Sequence, residues 1–163
     1  MRLCHAVWGA ALLPAIFSTL LFSQGQTSDL RSRFEHEANA VQKAKLMPAL
    51  GDAEFSEIRK DVEADQFSDG LALARQYRDQ VQSCVKGLDN IKIDVEKHPS
   101  GFKQLQISLQ ESLRRLDALL HNMTSEEQAP FLDIRKDLDE MNRHLIEELF
   151  PRRMPEPAKT PET

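Results

Sequence analysis

Apolar positions fall along this chain in two regimes. Over residues 6–22 they are almost unbroken (Ala-Val-Trp-Gly-Ala-Ala-Leu-Leu-Pro-Ala-Ile-Phe-Ser-Thr-Leu-Leu-Phe), whereas from about residue 29 onward they recur among charges. The second regime has helical spacing, in which side chains three and four apart share a face. Leu30, Phe34, Ala38 and Val41 predict a first helix over residues 29–47, with Pro48 as its stop. Asp52 then reads as the N-cap of a shorter second helix, whose apolar side is Phe55, Ile58 and Val62. Ser68-Asp69-Gly70 reads as the turn that follows.

The clearest seam comes next. Ala74, Val81 and Leu88 repeat every seven residues, with Tyr77, Cys84 and Ile91 between them. All six fall on one stripe, which needs a partner helix to cover it. Gly87 offers a stop, and Ile91-Lys92-Ile93-Asp94-Val95 alternates as a strand does. With no second strand to pair with, that stretch reads as a fraying helix end or an ordered loop down to Pro99. Ser100 can cap a fourth helix, lined by Phe102, Leu105, Leu109, Leu113, Leu116 and Leu120. Thr124 and Glu127 have capping-box spacing and open a fifth, with Pro130 near its start and Pro151 at its end. Its stripe is Phe131, Ile134, Leu138, Met141, Leu145 and Leu149. Long helices on short connections lie antiparallel, so the fold class is all-α, an antiparallel bundle of four to five helices over residues 26–150.

The first regime changes the picture of where this bundle resides. Arg2 supplies a positive start, and Ser23 and Gly25 are small residues three and one before a cut after Gly25. Residues 1–25 therefore read as a signal peptide of a secreted or periplasmic protein. The stretch approaches the length of a membrane span, so an uncleaved anchor is the alternative, disfavoured by Pro14 in its middle. Cleavage would remove Cys4 and Trp8, leaving Cys84 as the single cysteine, buried in the seam, paired between chains or a free thiol. Losing Arg2, the one charged residue in the leader, takes the formal net charge from −5 to about −6. A mildly acidic surface excludes nucleic acid as the main partner, and a membrane enters only with an uncleaved leader. Residues 151–163, with four of the chain's eight prolines, read as a disordered tail.

Chemistry is sparse. Asp117 with His121 and Glu140 with His144 each place a carboxylate and an imidazole four apart on a helix, a spacing metals can use. Asp117, His121 and Glu140 fall outside the apolar stripes, which suits solvated surface pairs. The Cys-x-x-Cys-His of attached haem does not occur, and Cys84 has no histidine near it in sequence for nucleophilic work. Neither catalytic residues nor a metal or cofactor are therefore expected. Asn122-Met123-Thr124 fits a glycosylation acceptor in a eukaryotic secretory route.

One internal echo stands out. Residues 55–63 (Phe-Ser-Glu-Ile-Arg-Lys-Asp-Val-Glu) match residues 131–139 (Phe-Leu-Asp-Ile-Arg-Lys-Asp-Leu-Asp). It reads either as a duplicated docking face, Arg59-Lys60-Asp61 and Arg135-Lys136-Asp137, or as two amphipathic helices with solvated outer charges. Leu50-Gly51, Phe55 and residues 64–72 together resemble one tetratricopeptide-type helical hairpin over residues 46–77, with Gly70 where that family has alanine. The resemblance implies a helix–turn–helix there, and no second repeat is visible. Residues 97–105 (Lys-His-Pro-Ser-Gly-Phe-Lys-Gln-Leu) resemble a motif of uncharacterised exported helical proteins of soil bacteria, which implies an envelope setting and no activity. Together these features lead us to expect a non-enzymatic exported bundle acting on a protein partner or on itself. The alternatives are a small-ligand or metal-binding bundle and a membrane-anchored form.

Overall fold

The computed structural model describes residues 20–151, with side chains from Thr27 onward. Most of the expected signal segment and nearly all of the expected tail lie outside these residues. Among the described residues there are five helices and no strand: α1 (Leu20–His36), α2 (Ala40–Glu63), α3 (Phe67–Asp89), α4 (Ser100–Leu120) and α5 (Ser125–Leu149). The backbone of α1 is helical through Gly25 and Gln26, where the cut was expected.

The first break differs from the expected one. The chain breaks at residues 37–39, not at Pro48, and α2 runs straight through Pro48. Asn39 is the reason for the early start: its side-chain Oδ1 accepts the Gln42 N–H at 3.0 Å, and Glu37 accepts the Asn39 N–H at 2.8 Å. Pro48 forfeits one N–H but is exposed, while Ala44, Met47, Leu50 and Gly51 around it are buried. Packing of that face outweighs the lost hydrogen bond. Asp52 consequently sits inside a helix and caps nothing.

The second turn is also displaced. It falls at residues 64–66, where Asp65 adopts a left-handed φ of 58°, a conformation Asp tolerates. Ser68-Asp69-Gly70 is the first turn of α3 instead, and Gly70 lies against α2 near the Ile58 carbonyl and the Val62 side chain. Gly87 continues α3. Pro99, not Ser100, holds the N-cap position of α4, with no side-chain cap bond. The capping box of Thr124 and Glu127 forms as expected, and Pro130 is accommodated within α5.

α2, α3, α5 and α4 stand in that order around a square, and α1 approaches α2 alone. The link from α3 to α4 therefore crosses the diagonal. It is a loop over residues 90–99, whose half-buried Ile91, Ile93 and Val95 pack on the core rather than pairing as a strand. Consecutive helices run antiparallel, but the crossing makes two neighbouring pairs parallel. α2 meets α4 through Val41 with Gly101 and Asp52 with Arg115, and α3 meets α5 through Arg78 with Asp137 and Asp89 with His144.

The core follows the stripes. Ala74, Tyr77, Val81, Cys84 and Leu88 are buried in α3, and Ile91 is half-buried at the edge. Phe102, Leu105, Leu109, Leu116 and Leu120 are buried in α4, as are Phe131, Ile134, Leu138 and Leu145 in α5. Leu113, Met141 and Leu149 flank these stripes half-buried. Tyr77 fills the middle: Phe55 meets its ring edge-on at 5.1 Å, and its hydroxyl lies 2.6 Å from Ser112 Oγ.

α2 and α4 lie close together at Gly101, where an added Cβ would stand 2.9 Å from Leu88 Cδ2 and 3.2 Å from the Val41 Cα. Gly101→Ala is expected to lower stability by about 1–2 kcal/mol in chemical denaturation, the range for an overpacked core. At Gly87 the added methyl would meet only the Ala40 methyl, at 3.2 Å. There Gly87→Ala is expected to change stability by under about 0.5 kcal/mol, because helix propensity offsets the contact.

Candidate functional site

α2 is touched on three sides, by α1, α3 and α4, and each boundary carries a different chemistry. Toward α1 and α3 it presents Glu54, whose side chain is 0% exposed. Arg31 of α1 reaches it with Nε at 2.7 Å and places its Nη2 at 3.1 Å from Glu57. Gln80 of α3 donates its amide to the same Glu54 oxygen at 3.2 Å. Burial raises the pKa of Glu54 above the ordinary carboxylate range, against the opposing pull of its Arg31 and Gln80 hydrogen bonds. Lys43 lies over the Phe34 ring at 4.6 Å and helps seat the same helix.

Toward α4 the second halves of α2 and α4 diverge and leave an open groove of about 770 Å³. Its floor is Phe55, Val62, Phe67, Ala118 and Leu119, and its banks carry Asp52, Arg59, Glu63 and Asp65 on one side and Glu111, Arg114 and Arg115 on the other. Arg115 closes one end, bonded to Asp52 across the helices at 2.6 Å and to Glu111 at 2.8 Å. Hydrogen bonds from Arg114, then Arg115, hold the Glu111 carboxyl down at about 2. Arg59 and Arg114 are the exposed cations of the two banks, 61% and 73% accessible, and each pairs within its own helix, with Glu63 and Glu111 respectively.

Comparison of the chain with protein-family models, curated proteins and solved structures returned no match.

The six residues of the internal echo part company in the structure. Arg59 lines the groove, Lys60 is exposed beside it, and Asp61 is half-buried, its pKa raised first by burial and then by Asp69 and Glu57. In the second copy Arg135 grips both carboxylate oxygens of Asp117 on α4, Asp137 accepts from Arg78 on α3 at 3.3 Å, and Lys136 is exposed. The apolar halves match closely: Phe55, Ile58 and Val62 are buried, as are Phe131, Ile134 and Leu138. The echo thus serves two packing faces, and its charges are tied between helices in α5 and left on a bank in α2.

The carboxylate–imidazole pairs do not form. His121 turns its Nδ1 onto the Asp117 carbonyl at 2.7 Å, and His144 places Nε2 3.0 Å from Asp89 instead of meeting Glu140. Among the described residues no group of three or more His, Cys, Asp or Glu is placed to hold a metal ion, and no helix is long and apolar enough to cross a membrane. A smaller cleft of about 460 Å³ between α3 and α5 is crossed by Arg78, which pairs with Asp79 and Asp137.

Sequence reasoning missed Glu54 and the groove. Glu54 stands at helical spacing with Met47, Leu50 and Ile58, so an unbroken α2 would have put it on the apolar face. The groove has no local signature, because it depends on how far two distant helices diverge.

Cys84 is fully buried, and burial pushes its thiol up to about 12. In a Cys4→Ser chain the remaining thiol is expected to be silent toward an aromatic disulfide reagent under native conditions and to react fully in denaturant. Fast native labelling would place Cys84 outside the core.

Proposed function

We propose that this protein is an exported, non-enzymatic helical bundle that acts by protein contact, receiving an acidic amphipathic helix of a partner in the α2/α4 groove. The leader pattern of residues 1–25 supports export. The carrying observation is the contrast among arginines. Arg31, Arg78, Arg115 and Arg135 each bridge two helices of the bundle. Arg59 and Arg114 instead face each other across an apolar floor with intrahelical partners alone among their ion pairs.

Such exposed intrahelical pairs are screened by water, so a partner's carboxylates can replace them at little cost. The floor residues Phe55, Val62 and Leu119 show only narrow strips to solvent. Charge therefore carries much of the specificity, and the contact is a weak, reversible one. A helix fits because apolar residues at i, i+3, i+4 and i+7 run along a groove of this kind.

The test uses two synthetic amphipathic helical peptides with the same apolar face, one flanked by glutamates and one by lysines. The acidic peptide is expected to shift the backbone amide resonances of the groove residues. The combined Arg59→Glu and Arg114→Glu variant is expected to weaken it about tenfold, with two surface pairs reversed. Equal binding of both peptides, or shifts confined to another face, would overturn the reading.

A further inference from the structure

A second site lies on the far side of α2, at the seat of α1, and it is independent of the groove. Glu54 and Gln80 bring more acceptors together there than donors. Glu54 Oε1 accepts from Arg31 and Gln80, but Glu54 Oε2 and Gln80 Oε1 are both buried with no hydrogen-bond partner. Exchanging the oxygen and nitrogen of the Gln80 amide cures neither, since it sets an oxygen against Glu54 Oε1.

The charges are also unequal. The groups facing Glu54 are Arg31 from α1, Glu57 from its own helix, and Gln80 and Tyr77 from α3. One guanidinium thus serves two carboxylates, Glu54 and Glu57, and only Glu57 keeps some access to water. A proton is the smallest ligand that answers both imbalances. On Oε2 it turns an orphaned acceptor into a donor, and it leaves Arg31 matched to Glu57. Arg31 still donates to the carbonyl oxygen of a neutral Glu54.

We propose that the seated α1 helix takes up a proton at Glu54, so that this clasp tightens in mild acid and loosens as Glu54 ionises. The Glu54 side chain has no access to solvent beneath Arg31 of α1. Burial is the largest influence on Glu54 and raises its pKa. The sign follows directly: a carboxyl that binds its proton more tightly when buried stabilises the seated state below the ordinary carboxylate range. That stabilisation fades as pH rises through the raised value. The usual expectation for an arginine–carboxylate contact, loosening in acid, is reversed here.

The experiment uses the full chain. Carboxyl carbon resonances of the glutamates would be followed through a pH titration. Amide exchange in α1 would be measured in parallel, as protection relative to the intrinsic rate at each pH. The expected result is a Glu54 titration above the ordinary glutamate range, with α1 protection rising several-fold from neutral to mildly acidic solution. Glu54→Gln is expected to keep α1 protected at the wild-type acid level at both ends, while Glu57→Gln, which leaves Arg31 to Glu54 alone, is expected to move the dependence to lower pH. A Glu54 titration at or below the ordinary range would overturn the proposal, as would α1 protection that falls on acidification. So would a Glu54→Gln chain whose α1 is less protected than wild type at neutral pH. The wild-type titration decides the matter even if a variant does not fold.

Discussion

The bundle is organised around one buried hydroxyl. Tyr77 of α3 stands against α2 and α4 and is fully enclosed, so its O–H must find a partner inside the protein. It lies 2.6 Å from Ser112 Oγ on α4, the diagonal neighbour of its own helix, and Ser112 in turn donates to the Ser108 carbonyl at 2.9 Å. That short relay ties α3 to α4 across the core, where apolar packing alone would accept several offsets. It also requires a thin α2. Gly51 faces the Tyr77 ring so closely that an added Cβ would sit 3.3 Å from it, and Phe55 meets the same ring edge-on. A bulkier residue at position 51 would push α2 outward and with it every contact α2 makes.

Around that centre the ion pairs set register. Asp117 with Arg135, Arg78 with Asp137 and Arg115 with Asp52 each join two different helices. All are partly exposed, so each is worth little as free energy. Their value is that a one-turn slip between two helices would separate the pair that joins them. The same reasoning explains why the internal echo does not make two equivalent surfaces. Its apolar residues meet the same demand twice, but α5 lies between two helices and spends its charges on them. The matching stretch of α2 looks over a gap.

Most of the architecture was legible because it rests on periodicity. The stripes of α3, α4 and α5 needed only spacing to be read, and the capping box of Thr124 and Glu127 marked a helix start by local chemistry. The errors cluster where tertiary packing overrides a local signal. Pro48 looked like a stop, yet the buried face of Met47, Leu50 and Gly51 holds α2 together through it. Gly70 looked like a turn residue but is a contact residue between helices. Asp65, an ordinary turn former, carries the real reversal. The break expected at Pro48 had a cost downstream, since it hid that Glu54 continues the stripe of Met47 and Leu50 along one helix. The parallel pairing of α2 with α4 was not legible at all, because it follows from a loop crossing the diagonal rather than from any helix sequence.

The groove follows from the same geometry. α2 and α4 run in the same direction and are nearly in backbone contact at one end, where Gly101 meets Val41. Farther along, Arg115 and Asp52 bridge them, and beyond that bridge the groove opens. Close backbone approach at one end and a long side chain spanning the middle leave room between the helices toward the other end. The opening falls where each gives way to a turn, at residues 64–66 and 121–124. Phe67 and Leu119 fill only its base. The gap is therefore built in by a glycine more than fifteen residues away from most of its lining, and its width depends on how closely that glycine lets the two backbones approach. A substitution at position 101 that forces the pinned end apart would bring the helices closer to uniform spacing. Groove width and backbone approach at Gly101 are thus two ends of one lever.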